Sequence, residues 1–235
     1  LPDSNINNEN IRVNASDIFN TKITFEIDDY NLIEADKADG KIVRLSEGAQ
    51  ILKKGAPDLP KKTSSIIIPD NQKMEVNIIH SDFVEYQNIN ILPSKGNLSR
   101  QVNPDDIPYE FGAEYNKNEF YPKELAQLGE PYILRDVRGI SIITYPIQYN
   151  PITKVLRVYS EIEVEIVSKG RDVLNVLNRN EDSQKRSFEF ENIYKSHFIN
   201  MQNDLRFDYV SDHGNMLIIS NEAFLSTMEP LVEWK

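Results

Sequence analysis

The chain has 235 residues, of which 40% are hydrophobic, enough apolar material to bury one substantial core. A formal net charge of −11 argues against a nucleic-acid binder, because phosphate neutralisation needs clustered Lys and Arg that acids do not offset; a basic protein partner fits better. With no cysteine, the chain offers no disulfide, no thiolate metal ligand and no thiol nucleophile.

No run approaches the roughly 18 apolar residues of a membrane span. The start at Leu1-Pro2-Asp3, followed by the polar run Ser4 to Asn10, reads as the frayed start of an exported chain whose signal peptide is gone. Ile23, Phe25 and Ile27 then alternate with Thr24 and Glu26, the pattern of a half-buried strand. Glu34 to Asp39, followed by Gly40, lacks the alternating ligand spacing of an EF-hand and reads as a solvated turn. Further strands are predicted over Ile66 to Ile68, Met74 to His80, Phe83 to Ile91, Ile140 to Ile147 and Val155 to Val167. In the last of these, Ile162, Val164 and Ile166 face opposite to Glu161, Glu163 and Glu165. Between the final two, Gln148 to Lys154 contains Asn150-Pro151 and predicts a hairpin. Many short strands with few helical patterns predict a mainly β fold, an antiparallel sandwich or barrel, over residues 1–167.

Ser168 to Ser187 is polar, without apolar periodicity, and reads as an exposed linker. Phe190, Ile193, Tyr194, His197 and Met201 recur at helical spacing and predict one short amphipathic helix. The continuous apolar run Met216 to Ile219, leading into Phe224, Met228 and Leu231, is the pattern of a buried parallel strand feeding a crossover helix. It predicts an α/β domain begun but not completed.

The sequence holds no constellation for chemistry of its own. His80, His197 and His213 stand in no zinc-ligand spacing and read as structural or exposed; nucleophile-elbow, Walker and dinucleotide-binding motifs are absent. No cofactor or metal is expected. Asn14-Ala15-Ser16 and Asn97-Leu98-Ser99 match the glycosylation sequon, a common coincidence. Arg135-Asp136-Val137-Arg138-Gly139 reads as a turn held by pairing of Arg with carboxylate.

Several blocks resemble the prodomains of gingipains, the secreted cysteine peptidases of Bacteroidetes. They are Gly55-Ala56-Pro57-Asp58-Leu59-Pro60, Pro93-Ser94-Lys95-Gly96, and Asn103-Pro104-Asp105-Asp106-Ile107-Pro108-Tyr109. Tyr132 to Gly139 and Gln148 to Lys154 follow, most similar to the arginine-specific branch, and Met216 to Lys235 resembles the first strand and helix of the caspase-like α/β catalytic domain. The resemblance spans roughly residues 20 to 235. It implies a zymogen propeptide that assists folding and blocks the active site with a basic side chain in the S1 pocket. The matching position is Arg100, with Lys95 as nearest rival. It also implies maturation cleavage between Arg206 and Phe207, so that 168–206 is a linker with a short helix and 207–235 belongs to the catalytic domain. The catalytic Cys and His would lie beyond Lys235, leaving this segment without enzymatic activity. The expected partner is the chain's own peptidase domain, and the expected route is export through the periplasm to secretion or the cell surface. Two other readings remain open: a β-sandwich binding module using Tyr109, Phe111, Tyr115, Phe120 and Tyr121 on carbohydrate or protein, and a non-inhibitory chaperone or sorting domain.

Overall fold

The computed structural model describes residues 10–17, 19–36, 38–178, 185–187, 190–201, 208–210 and 217–234. Along the chain these form β1 (Ile11–Ser16), β2 (Asn20–Glu26), β3 (Tyr30–Glu34), β4 (Lys41–Leu45), β5 (Ala49–Gln50), β6 (Pro60–Ile67) and β7 (Gln72–Tyr86). Then come β8 (Ala126–Leu128), β9 (Tyr132–Leu134), β10 (Val137–Thr144), β11 (Ile147–Asn150), β12 (Val155–Arg171), β13 (Lys185–Ser187), α1 (Glu191–His197), β14 (Asp208–Val210) and α2 (Leu225–Trp234).

Two antiparallel sheets carry the body. In one, β12 pairs with β2, β11 and β7, and β1 extends the sheet from β2; in the other, β6 and β10 pair centrally, flanked by β5, β8 and β9. The alternation read from the sequence sets the register: Ile162 lies opposite Phe25 and Val164 opposite Ile23, all fully buried. Glu161, Glu163 and Glu165 take the outer face, since successive strand residues point to opposite sides. The inner face meets Ile66, Ile68, Ile140 and Ile142 of the other sheet in one cluster, as in a β-sandwich. Each such aliphatic side chain contributes about 1.5–3 kcal/mol by leaving water. A second cluster joins Val43, Leu59, Ile91, Ile147, Tyr149 and Leu156.

Several elements differ from expectation for local reasons. Met74 to His80 and Phe83 to Ile91 are not two strands: β7 runs unbroken from Gln72 to Tyr86 because β12 pairs along its length, absorbing the mismatch in bulges. Ile140 to Ile147, expected as one strand, is interrupted at Tyr145-Pro146. Proline cannot donate to a ladder, and the chain crosses there from β10 to β11 in the other sheet. The hairpin joining β11 to β12 forms as expected, its turn held by the Asn150 side chain, which accepts from the Ile152 and Thr153 N–H groups at 3.1 and 3.3 Å. Between β3 and β4, Asp36 and Ala38 to Gly40 form turn and bend, as expected of the acidic stretch; Lys37 lies outside the described residues.

The short amphipathic helix is α1, and it docks on the sandwich. Tyr194, Phe198 and Met201 bury against Ile67 and Val137, and Phe198 crosses Gly139 so closely that a Cβ there would lie 2.4 Å from its ring. Asn200 accepts from the Ile67 N–H at 2.8 Å and donates to its carbonyl at 3.1 Å, continuing the β6 ladder with a side chain. The expected buried strand at Met216 to Ile219 is not formed. Met216 lies outside the described residues; Leu217 to Ser220 have no strand structure, and Leu217 and Ile219 are more than 80% exposed. A parallel strand is stable only with paired neighbours and covered faces, and the described residues supply neither. The helical part of that expectation is met by α2.

Candidate functional site

Three segments build the base of a projecting loop. At Gly55 the backbone takes a positive φ of 82°, open to glycine without strain, and turns residues 53–57 back on themselves. The Gly55 N–H donates to the Ser94 carbonyl at 2.9 Å, and Ser94 N–H returns the bond to Ala56 at 2.8 Å. Asp58 N–H binds the Leu92 carbonyl, and Gly112 N–H binds the Gly55 carbonyl at 2.8 Å. Leu92, Pro93 and Ser94 are thereby buried and fixed.

Beyond them the chain leaves the body at Gly96, which also has a positive φ. Its tip is a turn in which Val102 N–H donates to the Ser99 carbonyl at 3.0 Å, placing Arg100 and Gln101 at the corner. The return is fixed by Asn103, whose side chain caps a short 3-10 turn, Pro104–Asp106, by accepting from Asp105 N–H. Lys95 spans the loop's base: its Nζ donates to the Pro104 carbonyl at 2.8 Å and lies 4.2 Å from the Tyr109 ring centroid.

The two basic residues singled out in this loop therefore differ. Arg100 is exposed, and no hydrogen bond, ion pair or ring contact among the described residues engages its guanidinium. Lys95 is half-buried, with its ammonium occupied. Arg206 and Phe207 lie outside the described residues, as does His213.

Other sequence candidates find structural places. Of the stretch 135–139 read as a turn, only Arg135 and Asp136 turn; Val137 to Gly139 open β10, where Arg138 pairs opposite Ile133 and is fully buried. It donates five hydrogen bonds: to the carbonyls of Pro69, Gln72, Leu174 and Asn175 and to the Asp172 carboxylate at 2.6 Å. Its carboxylate partner thus comes from the segment after β12, and that segment, read as an exposed linker, is partly fastened to the sheet; β12 itself runs on to Arg171. Asp136 instead accepts from the Tyr194 hydroxyl. His197 bonds the Tyr132 hydroxyl at 2.7 Å. His80 is exposed beside Asp82, whose hydrogen bond raises the imidazole pKa.

The aromatic residues considered for a binding face are mostly engaged within the fold, Phe111 meeting Tyr115 edge to face with ring centroids 4.7 Å apart. Tyr109 lies under Lys95, and Tyr115 and Tyr121 pack on the second core cluster; burial pushes the Tyr121 hydroxyl up to about 12 and raises Tyr115 further. Phe120 stacks on Arg157, leaving Phe111 largely exposed. One grouping that the sequence spacing did not reveal is His80, Asp82 and Glu161, whose ligand atoms lie within 4.8 Å of one another on an exposed sheet face. The signal is the cross-strand register, which puts Glu161 opposite Asp82. It is a modest, open donor set.

Comparison with known proteins assigns the lineage. The Propeptide_C25 family model matches residues 5–201. Gingipain R2 of Porphyromonas gingivalis is 35% identical over 232 residues, covering 97% of this chain and 31% of that protein. Gingipain R1 of the same species is 36% identical over 220 residues, covering 92% and 22%. Lys-gingipain is more distant, 25% identical over 196 residues. The chain thus spans about a third or less of the length of these relatives. Among solved structures, a complex of Porphyromonas gingivalis RgpB pro- and mature domains superposes with a TM-score of 0.73 at 36% identity, covering 83% of this chain and 99% of that one. A structure concerned with the zymogenic latency of gingipain K, at 19% identity and a TM-score of 0.57, shares the fold. A mainly β antiparallel body and these matches agree: the chain belongs to the Propeptide_C25 family, as a gingipain-type zymogen propeptide.

Proposed function

We propose that this propeptide holds an arginine-preferring, gingipain-like cysteine endopeptidase inactive by placing Arg100 in its S1 pocket, and assists that domain's folding until it is removed. The observation that carries the reading is the contrast within one loop: Arg100 stands exposed at the tip with no partner among the described residues, while Lys95 is engaged at the base. An arginine costs little to present this way. Its planar fork can form two charge-assisted hydrogen bonds with a carboxylate at a pocket floor, and a fixed loop loses little freedom on binding. The net charge of −11 would further favour a basic peptidase surface.

In this reading the partner is the peptidase domain of the same precursor, residues 1–167 form the propeptide body and residues 168–206 lead to cleavage after Arg206, before Phe207. Residues 207–235 open the catalytic domain, whose Cys and His lie further along the precursor. The exposed apolar side chains at Leu217 and Ile219 support that assignment, since they await a sheet to enter. Export through the periplasm to the cell surface or medium follows from the same kinship.

The test is inhibition of the mature peptidase by this chain on a fluorogenic arginyl substrate, wild type against Arg100→Ala. Competitive inhibition lost in the variant supports the reading. Equal inhibition by both moves the blocking group elsewhere, and no inhibition by either leaves a folding or sorting role.

A further inference from the structure

An arginine held in the S1 pocket of an arginine-cleaving peptidase is also a cleavage site. Hydrolysis would add water across the Arg100–Gln101 amide, leaving a carboxylate on Arg100 and an amine on Gln101. We propose that Lys95 is a positioning residue that prevents this: by tying the two ends of the loop together it keeps the Arg100–Gln101 bond a poor substrate. The inference rests on the assignment of Arg100 to S1.

Two features of the loop oppose cleavage. The bond from Val102 N–H to Ser99 O, at 3.0 Å, bends the chain at the very peptide that an extended substrate would present straight. A peptidase must open this turn before the Arg100 carbonyl can be aligned for attack, and misalignment of even an ångström slows such steps by orders of magnitude. The loop's ends are also fixed. On the entry side Ser94 is stitched to Gly55 and Ala56; on the exit side Asn103 caps the Pro104–Asp106 turn.

Lys95 joins these two anchorages. Its stem starts on the entry side, and its ammonium binds the Pro104 carbonyl and the Tyr109 face on the exit side. Between Gly96 and Asn103 the backbone hydrogen bond across the loop is the tip turn itself, and below it Lys95 closes the ring at the base. With the brace in place, straightening the tip must stretch a closed ring. Without it, entry and exit strands can separate, the turn opens at lower cost and the loop behaves as an ordinary arginyl substrate. A point charge on a flexible stem suits the task, since it satisfies a carbonyl and an aromatic face together.

The experiment incubates the full chain with the mature peptidase at equal concentration and follows two readouts: inhibition at mixing, and hydrolysis at Arg100–Gln101 by intact-mass spectrometry. Wild type is compared with Lys95→Met, Lys95→Arg, Tyr109→Leu and Arg100→Ala, each checked for the wild-type melting temperature. We expect Lys95→Met to inhibit on mixing but to be cut at Arg100 about tenfold faster, inhibition decaying with cleavage; Tyr109→Leu should fall between, and Lys95→Arg should restore resistance. Cleavage of Lys95→Met at the wild-type rate overturns the proposal, as does faster cleavage in Lys95→Arg equal to that in Lys95→Met. A parallel digestion with an unrelated arginine-specific endopeptidase separates the two hypotheses. If Arg100→Ala inhibits like wild type, the S1 assignment fails, while the brace is still judged by the digestion rate after Arg100.

Discussion

The sequence reads Arg138 and Arg100 alike, each in a polar connection, and the fold treats them in opposite ways: Arg138 sits in β10 and Arg100 at a turn. Arg138 is enclosed, its guanidinium shared among four backbone carbonyls and the Asp172 carboxylate. Arg100 is exposed and has no partner among the described residues. The same side chain is a fastener in one place and an exposed, unengaged group in the other. What separates them is whether the surrounding chain supplies acceptors: a buried guanidinium without them would be too costly to keep, whereas an exposed one retains its donors for another molecule.

The contrast can be broken from either side. Arg138→Met should produce the largest effect, a loss of about 3–5 kcal/mol, because it takes the donor from the buried Pro69 carbonyl, three part-buried carbonyls and Asp172; the midpoint of urea denaturation measures it, and Arg138→Lys should recover little, since three donors cannot replace a five-donor fork. A variant within about 0.5 kcal/mol of wild type would show that the segment after β12 does not depend on this residue. Arg100→Ala should leave that midpoint within about 0.5 kcal/mol of wild type yet weaken peptidase inhibition by about 2–4 kcal/mol. Gly139→Ala sharpens the structural side alone: its methyl group would collide with the Phe198 ring, so a loss of about 1–3 kcal/mol is expected, relieved in the double variant Gly139→Ala with Phe198→Leu.

The smallest effect is a pH dependence. The Asp172 carboxyl is held below its ordinary value of 3.8, first by the Leu174 N–H and, against the opposing effect of burial, by the hydrogen bond from Arg138. A depressed folded-state pKa gives stability that is present above the unfolded value, near pH 4, and is lost as pH falls through the lower folded value. Wild type should therefore melt above Asp172→Asn at pH 7, with the gap closing below about pH 4. A gap constant from pH 7 to pH 2 would mean that the charge on Asp172 contributes nothing.

Much of the body was legible because period-two alternation is a local property: Ile23 and Phe25, and Ile162, Val164 and Ile166, announced both strands and their buried faces. The Arg100 loop was legible as an exposed segment, its Pro-bounded blocks flanking the turn at Ser99 to Val102. Other features had no local signal. Nothing around Arg138 announces Asp172, which lies 34 residues away, and nothing near Lys95 announces that Pro104 and Tyr109 will receive it. The docking of α1 depended on an absent Cβ at Gly139 and on Asn200 reaching the β6 edge. The apolar run at Leu217 to Ile219 carried a strand pattern that the fold did not honour, since a pattern specifies a face but cannot provide the sheet to bury it.

By itself, then, the sequence determined the fold class, the strand faces and the absence of a thiol nucleophile, because alternation, turn chemistry and composition are written residue by residue. Only the tertiary structure decided which basic side chains are satisfied and which stay exposed, because that depends on acceptors brought together from distant parts of the chain.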